Sequence, residues 1–272
     1  LIMALIEVKK ETCTKCGLCA EVCGGIYFRE GSYPRRLPGM DEACIRCGHC
    51  VAICPNGSLI HVDIPLGECL PVDKSQEISF EQCAQLIKSR RSVREFKDKS
   101  VSGELIERII DVARYAPTGH NEQEVQWLVI NDRAKIRELE GIGADWLRSV
   151  TKNNPRMAEM FTMTLKRLDA GYDVILRGAP AVVTAFAGEN NPIANTDCAL
   201  ALGYFDLTAK SLGLGCCWAG FFYMAAASFP AMKKAIGLPK GFAPYGALMV
   251  GYPKYQYKRI PARKPARIIY RP

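Results

Sequence analysis

No run of 18 apolar residues, the minimum for a membrane-spanning helix, occurs in the 272-residue chain. The nearest approach, Cys198 to Leu214, is broken by Asp206 and Lys210. No secretory leader is expected, since Leu1 to Ile6 has neither a basic lead nor a small-residue cleavage site. A cytoplasmic protein with no membrane contact is therefore expected, with Met3 as its natural start. Long tracts of one charge are also missing. The net charge is +8, and its basic residues gather at Lys88 to Lys99 and Lys254 to Arg271, flanking an apolar stretch, so no nucleic-acid partner is expected. With 49% hydrophobic residues, disorder is excluded. Neither a Gly-x-Gly-x-x-Gly turn nor a Walker loop occurs, so the chain builds no Rossmann dinucleotide site of its own.

Cysteine is what the chain has in excess. Of 13 cysteines, eight lie between Cys13 and Cys54, and Cys69, Cys83, Cys198, Cys216 and Cys217 lie beyond. An odd count without a secretory leader argues for metal ligation rather than disulfides. The spacing is specific. Cys13-x-x-Cys16-x-x-Cys19-x-x-x-Cys23 is repeated as Cys44-x-x-Cys47-x-x-Cys50-x-x-x-Cys54-Pro55. A structural zinc site joins two short chelate loops and would leave the middle cysteine of each triple idle. A four-iron cube instead needs four thiolates from different directions: three close-spaced cysteines wrap one side, and a fourth arrives from elsewhere.

The segment from about residue 5 to 66 resembles bacterial-type two-[4Fe–4S] ferredoxins. As in those proteins, the fourth cysteine of each motif is expected to complete the other cluster. One cluster then takes Cys13, Cys16, Cys19 and Cys54, and the other Cys44, Cys47, Cys50 and Cys23. One departure stands out: Gly24-Gly25 replaces the proline that usually follows the fourth cysteine. Two such clusters, each about −2 with its thiolates, would bring the charge of +8 to about +4. His49 and His61 are not needed as ligands.

Domain boundaries follow composition. Residues 1–66 form the small iron–sulfur domain, 67–76 a proline-bearing linker that contains Cys69, and 77–272 the larger domain. In the latter, Ser79 to Gln82 reads as a capping box that opens a helix. A second helix spans Gly103 to Tyr115, with Leu105, Ile106, Ile109 and Ile110 on one face. Strands are expected at Val125–Ile130 and Ala181–Ala187, near Cys216–Phe221 and at Gly246–Tyr252. Helices are expected around Arg156–Arg177, at Thr196–Leu212 with Asp197 as its cap, and from near Ser228 with Pro230 in the first turn. The fold class is α+β, a mixed sheet covered by helices. Cys83, Cys198, Cys216 and Cys217 are expected to be small core residues.

Three blocks in this domain matter together: Arg90-Arg91-Ser92-Val93-Arg94, Pro117-Thr118-Gly119-His120-Asn121, and Cys217-Trp218-Ala219-Gly220 with the basic tail at Arg263. Arginines beside a serine suit a phosphate, and the Pro-Thr-Gly turn can hydrogen-bond a heterocycle. Their order and spacing from Ile78 on resemble the nitroreductase family of FMN flavoproteins. That resemblance implies an intertwined homodimer with FMN at its interface. It assigns the phosphate to Arg90, Ser92 and Arg263, and the pyrimidine edge of the flavin to Arg94, with Arg91 also in contact. Pro117, Thr118, Gly119 and Asn121 would reach the flavin from the other subunit, and backbone groups of Cys217, Ala219 and Gly220 would line it. His120 and Arg177 are further candidates for contact with substrate or flavin. Two departures bear on the substrate: Ala219 stands where an acidic residue is common, and Gln123-Glu124-Val125 where Gln-Pro-Trp is common.

Electron counting gives the expected function. Clusters pass single electrons, whereas organic reductions need pairs, and a flavin converts one into the other. The combined resemblance implies an oxidoreductase that reduces a planar, electron-poor small organic substrate of nitroaromatic or quinone type. It needs an external donor, with reduced ferredoxin ranked ahead of NAD(P)H, and no catalytic acid or base. The alternative is an electron-transfer or flavin-handling protein without an organic substrate.

Overall fold

Matched glycines shape the N-terminal part of the molecule. In the computed structural model, which describes residues 4–152 and 154–271, Gly17 and Gly48 take left-handed φ values of 77° and 75°. Each immediately precedes a one-turn helix, α1 (Leu18–Glu21) and α2 (His49–Ala52). Lys15 and Arg46, two residues before them, are left-handed as well (59° and 52°). The sequence repeat is thus a backbone repeat, and only glycine adopts such a φ at little cost. Strand β1 (Ile6–Val8) pairs antiparallel with β4 (Leu59–His61), and β2 (Ile26–Tyr27) with β3 (Arg35–Arg36). Ile6, Ile26, Val51 and Leu59 close a small core around Cys19 and Cys50.

The described residues cluster into two compact units. One comprises those up to Glu77 together with Gly119–Glu122, the other Ile78–Thr118 and those from Gln123 on.

The second unit is built on a four-stranded sheet of order β5-β6-β8-β7, from β5 (Gln126–Ile130), β6 (Ala181–Gly188), β7 (Gly215–Trp218) and β8 (Phe242–Gly251). The α+β class holds. Where a mixed sheet is expected, every pairing in this sheet is antiparallel. Strand β6 is central and buried on both faces, so its apolar run does not alternate with polar residues. Its side chains divide by parity instead. Val182, with Ala247 and Met249, packs under α5 (Arg133–Lys152), α9 (Gly220–Ser228) and α10 (Pro230–Ile236). Ala181, Val183 and Ala185, with Leu248 and Val250, pack under α4 (Gly103–Ala113) and α8 (Ala194–Ser211). Fully buried Phe222 anchors the first layer and Phe205 the second, each contributing about 2–3 kcal/mol by removal from water.

The capping box is present. Ser79 Oγ accepts from Gln82 N at 3.2 Å and Ser79 N donates to Gln82 Oε1 at 2.9 Å, opening α3 (Phe80–Ser89). Other elements differ from expectation. The single helix over Arg156–Arg177 is two short ones, α6 (Pro155–Met160) and α7 (Thr162–Asp169), followed by a turn in which Gly171 has φ 84°. Beta structure near Cys216–Phe221 stops at Trp218, because Gly220 begins α9. Asp197 is not the cap of α8, which starts three residues earlier; it lies buried in the first turn. Cys198, Cys216 and Cys217 are core residues, whereas Cys83 is only half-buried. No helix among the described residues is long and apolar enough to cross a membrane.

Candidate functional site

The eight repeat cysteines gather in two sets. Cys13, Cys16, Cys19 and Cys54 line one cavity, and Cys23, Cys44, Cys47 and Cys50 line another. In each set three thiols come from one motif and the fourth from the other. Two features of the backbone bring this about. The left-handed turns curl each triple inward, and α1 and α2 then carry Cys23 and Cys54 past their own loops. Among the described residues no three such side chains close on a single metal ion. Each quartet surrounds a space instead, which suits a multi-iron core.

Electrostatics follow the same grouping. Burial pushes the Cys50 thiol up to about 11, helped by the neighbouring charges of Cys23, Cys47 and Cys44. Burial likewise raises Cys19, with Cys16 and Cys54 as its charged neighbours. Cys54 goes the other way. Burial opposes its ionisation, but the backbone N–H groups of Leu59, Ser58 and Asn56 outweigh it, with Ser58 N donating at 3.1 Å. Crowded thiols that raise one another's pKa are relieved by a cation among them, which is what an iron core supplies. His61 is buried beside the second set, with Nε2 3.6 Å from Cys44 Sγ.

In the second unit the arginine block divides between two cavities. Arg90 and Arg91 line the first with Asp206, Lys210 and Cys216. Arg90, at the end of α3, is already paired there, its Nη1 3.3 Å from Asp206 Oδ2. Burial raises the Asp206 pKa against this pull. It also holds the fully buried Cys216 thiol far above the usual range, reinforced by the charge of Asp206. Arg91 stacks on Tyr257, 5.6 Å from the ring centroid. The second cavity is lined by Arg94 and Arg177 with Cys217, Trp218 and Gly220, and walled by Phe161 and Phe221. Two anchors fix this wall. Val93 N donates to Cys216 O at 2.9 Å, and the Asp173 carboxylate accepts from Ile175, Leu176 and Gly178 at 2.7–3.0 Å, shaping the turn that holds Arg177 at φ 57°.

Not all expected flavin residues join these linings. Ser92 is half-buried and Arg263 is exposed in the C-terminal tail; neither lines either cavity. The Ala219 N–H is used within the sheet, donating to Ala247 O at 2.8 Å. Gly220 is the first residue of α9, where an N–H has no partner inside the helix. Thr118 Oγ1 accepts from Gln123 N at 3.1 Å. Gly119 and Asn121 cluster with the first unit, in which Asn121 Nδ2 donates to the carbonyls of Ile45 and Arg46 at 3.2 and 3.0 Å. Asp173, Asp206 and Tyr257 were missed in the sequence. For Asp173 and Asp206 the only signal there is an acidic residue inside an otherwise apolar stretch, and Tyr257 in the basic tail carries none.

The family model of the Nitroreductase family matches residues 87–252. The chain belongs to that family. A model of the 4Fe-4S dicluster domain matches residues 5–55 of this nitroreductase, so it is an oxidoreductase that carries an iron–sulfur domain. A relative from Archaeoglobus fulgidus, provisionally named NADH dehydrogenase/NAD(P)H nitroreductase, is 26% identical over 175 residues, 64% of this chain and 87% of its own. FMN reductase [NAD(P)H] of Bacillus subtilis is 28% identical over 176 residues, 62% of this chain and 66% of its own. A Desulfitobacterium hafniense nitroreductase with bound FMN shares the fold, with a TM-score of 0.58 and 24% identity over 71% of this chain and 99% of that one.

Proposed function

We propose that this nitroreductase binds FMN and two [4Fe–4S] clusters and reduces an electron-poor planar substrate, of nitroaromatic or quinone type, with electrons delivered singly. The observation that carries this reading is the pair of four-cysteine cavities, each completed by a cysteine of the other motif. Cys13, Cys16, Cys19 and Cys54 hold one cluster, and Cys23, Cys44, Cys47 and Cys50 the other. Arg90, Arg91 and Lys210 offer positive charge for the FMN phosphate, together with Ser92 and Arg263. Arg94 serves the flavin edge and places a fixed cation where negative charge collects on reduction. Pro117, Thr118, Gly119 and Asn121 complete the flavin site from a second copy of the chain, with Cys217, Ala219 and Gly220 along the ring. Bound FMN supplies the conversion of single electrons into a pair. The walls of the Arg94 cavity, Phe161, Trp218 and Phe221, are flat apolar surfaces suited to an aromatic substrate. Solvent supplies the protons. The protein works as a homodimer in the cytoplasm.

The test is an anaerobic preparation assayed for iron, sulfide and FMN per chain, then for turnover of a nitroaromatic with reduced ferredoxin, NADH and NADPH. Turnover with reduced ferredoxin is expected. A preparation without clusters or flavin after reconstitution overturns the reading, and photoreducible FMN without turnover of any acceptor favours an electron carrier. NAD(P)H as direct donor is the second reading, favoured by the names of the Archaeoglobus fulgidus and Bacillus subtilis relatives.

A further inference from the structure

The two cysteine quartets have unequal surroundings. Among the described residues no charged side chain lines the cavity of Cys13, Cys16, Cys19 and Cys54. The cavity of Cys23, Cys44, Cys47 and Cys50 is lined also by Arg36 and His61. His61 on β4 is 2% exposed. Its Nδ1 accepts from Asp63 N at 3.1 Å, which requires a lone pair there and leaves the proton on Nε2. Nε2–H then faces Cys44 Sγ at 3.6 Å and donates to it. Arg36 is nearly as enclosed, its side chain 11% exposed. Its Nε donates to Asp41 Oδ1 at 2.9 Å and its Nη2 to Met40 O. Both bonds aim the remaining nitrogen, Nη1, at Cys23 Sγ, 3.9 Å away.

Gly25 makes this possible. A Cβ on Gly25 would fall on Nη1 of Arg36 and within 2.9 Å of its Cζ. The first motif therefore ends in Gly24-Gly25, where the second ends in Cys54-Pro55-Asn56, and the space left by the missing side chain is filled by a guanidinium.

We infer that His61 and Arg36 are tuning residues that raise the reduction potential of the cluster held by Cys23, Cys44, Cys47 and Cys50, without touching the other. The inference rests on the two-cluster reading above. One electron entering such a cluster adds negative charge that spreads onto its thiolate sulfurs. An N–H or a cation beside those sulfurs stabilises the reduced form more than the oxidised one. Backbone N–H groups reach Cys54 in the other quartet, so the distinction lies in the side-chain donors, and these set the driving force between the clusters.

The experiment uses the full chain, purified anaerobically and loaded. Iron and sulfide are counted first, about eight of each for two clusters. Potentials are then read by a redox titration followed by electron paramagnetic resonance. His61→Leu and Arg36→Met each move one of the two transitions downward, by roughly tenfold in electron occupancy, about 59 mV for a one-electron couple. The other transition stays in place. Arg36→Lys restores part of the shift. Gly25→Ala displaces only the flexible end of Arg36, so it reproduces the Arg36→Met shift with the fold intact. It decides the matter if the other variants fail to load. A chain with a single cluster overturns the two-cluster reading and this inference with it. Both clusters present, with potentials indifferent to all these variants, overturns this inference alone.

Discussion

Replacing Glu140 by glutamine should change how the stability of the second unit depends on pH. Glu140 lies half-buried on α5. Burial, then the charge of Asp173 and a hydrogen bond to it, push its carboxyl up to about 8, with Arg137 pulling weakly the other way. Asp173 is held in place by three backbone N–H groups that donate to its carboxylate. Below the ordinary value of 4.5, folded and unfolded chains both hold the Glu140 proton, and nothing depends on pH. Between 4.5 and about 8 the unfolded chain has released it while the folded chain keeps it. The unfolded state then binds fewer protons, and stability falls as pH rises through this window, levelling above it. A shift from 4.5 to about 8 corresponds to at most about 5 kcal/mol. The group is half open to solvent, which screens it, so about 1–2 kcal/mol is the realistic size.

Glu140→Gln keeps a donor toward Asp173 and removes the titration. The variant should therefore gain about 1–2 kcal/mol over the parent between pH 5 and pH 9, a relative rise of about 2–8 °C in Tm. Thermal unfolding followed by tryptophan fluorescence is a suitable assay, because Trp127, Trp146 and Trp218 all lie in the second unit. If parent and variant unfold along parallel curves across this pH range, the proton is not held as described.

Four further outcomes follow. Cys54→Ser should cost the cluster of Cys13, Cys16 and Cys19, and Cys23→Ser that of the later triple; electron paramagnetic resonance of reduced samples reports which signal disappears, and a same-motif loss would refute the crossover. Arg94→Met should weaken FMN retention and lower the flavin potential, read by spectroelectrochemistry; an unchanged potential refutes its place at the flavin edge. Phe222→Ala, at a fully buried site, should destabilise by about 3–5 kcal/mol in denaturant titration. Ser79→Ala removes the bond that Gln82 N donates to the Ser79 hydroxyl while keeping the one from Ser79 N to Gln82 Oε1, and should cost about 1 kcal/mol, visible as a small drop in Tm.

The legible parts of the molecule are those where local chemistry dictates the outcome. The capping box at Ser79 was readable because its two partners are three residues apart. The cysteine repeat was readable because chelation fixes spacing. Helix α5 was overlooked, although Ile136, Leu139, Gly143 and Leu147 recur at helical intervals, because charged residues between them mask the pattern. Helix α9 was overlooked for the opposite reason: Phe221 to Ala227 is apolar on every side, and such a run reads equally as a strand. Gly171 ends a helical pattern expected to run on to Arg177, since its left-handed φ cannot continue a helix.

The sequence by itself determined the twofold cysteine spacing, the family, the α+β class and the residues that carry positive charge, because spacing and residue type suffice for these. Only tertiary structure decided that Arg90 answers Asp206, that Arg94 and Arg177 share a cavity, and that Arg36 fills the space left at Gly25. Each of these joins side chains from separate elements. Their meeting depends on how strands and loops pack, and nothing in local spacing records it.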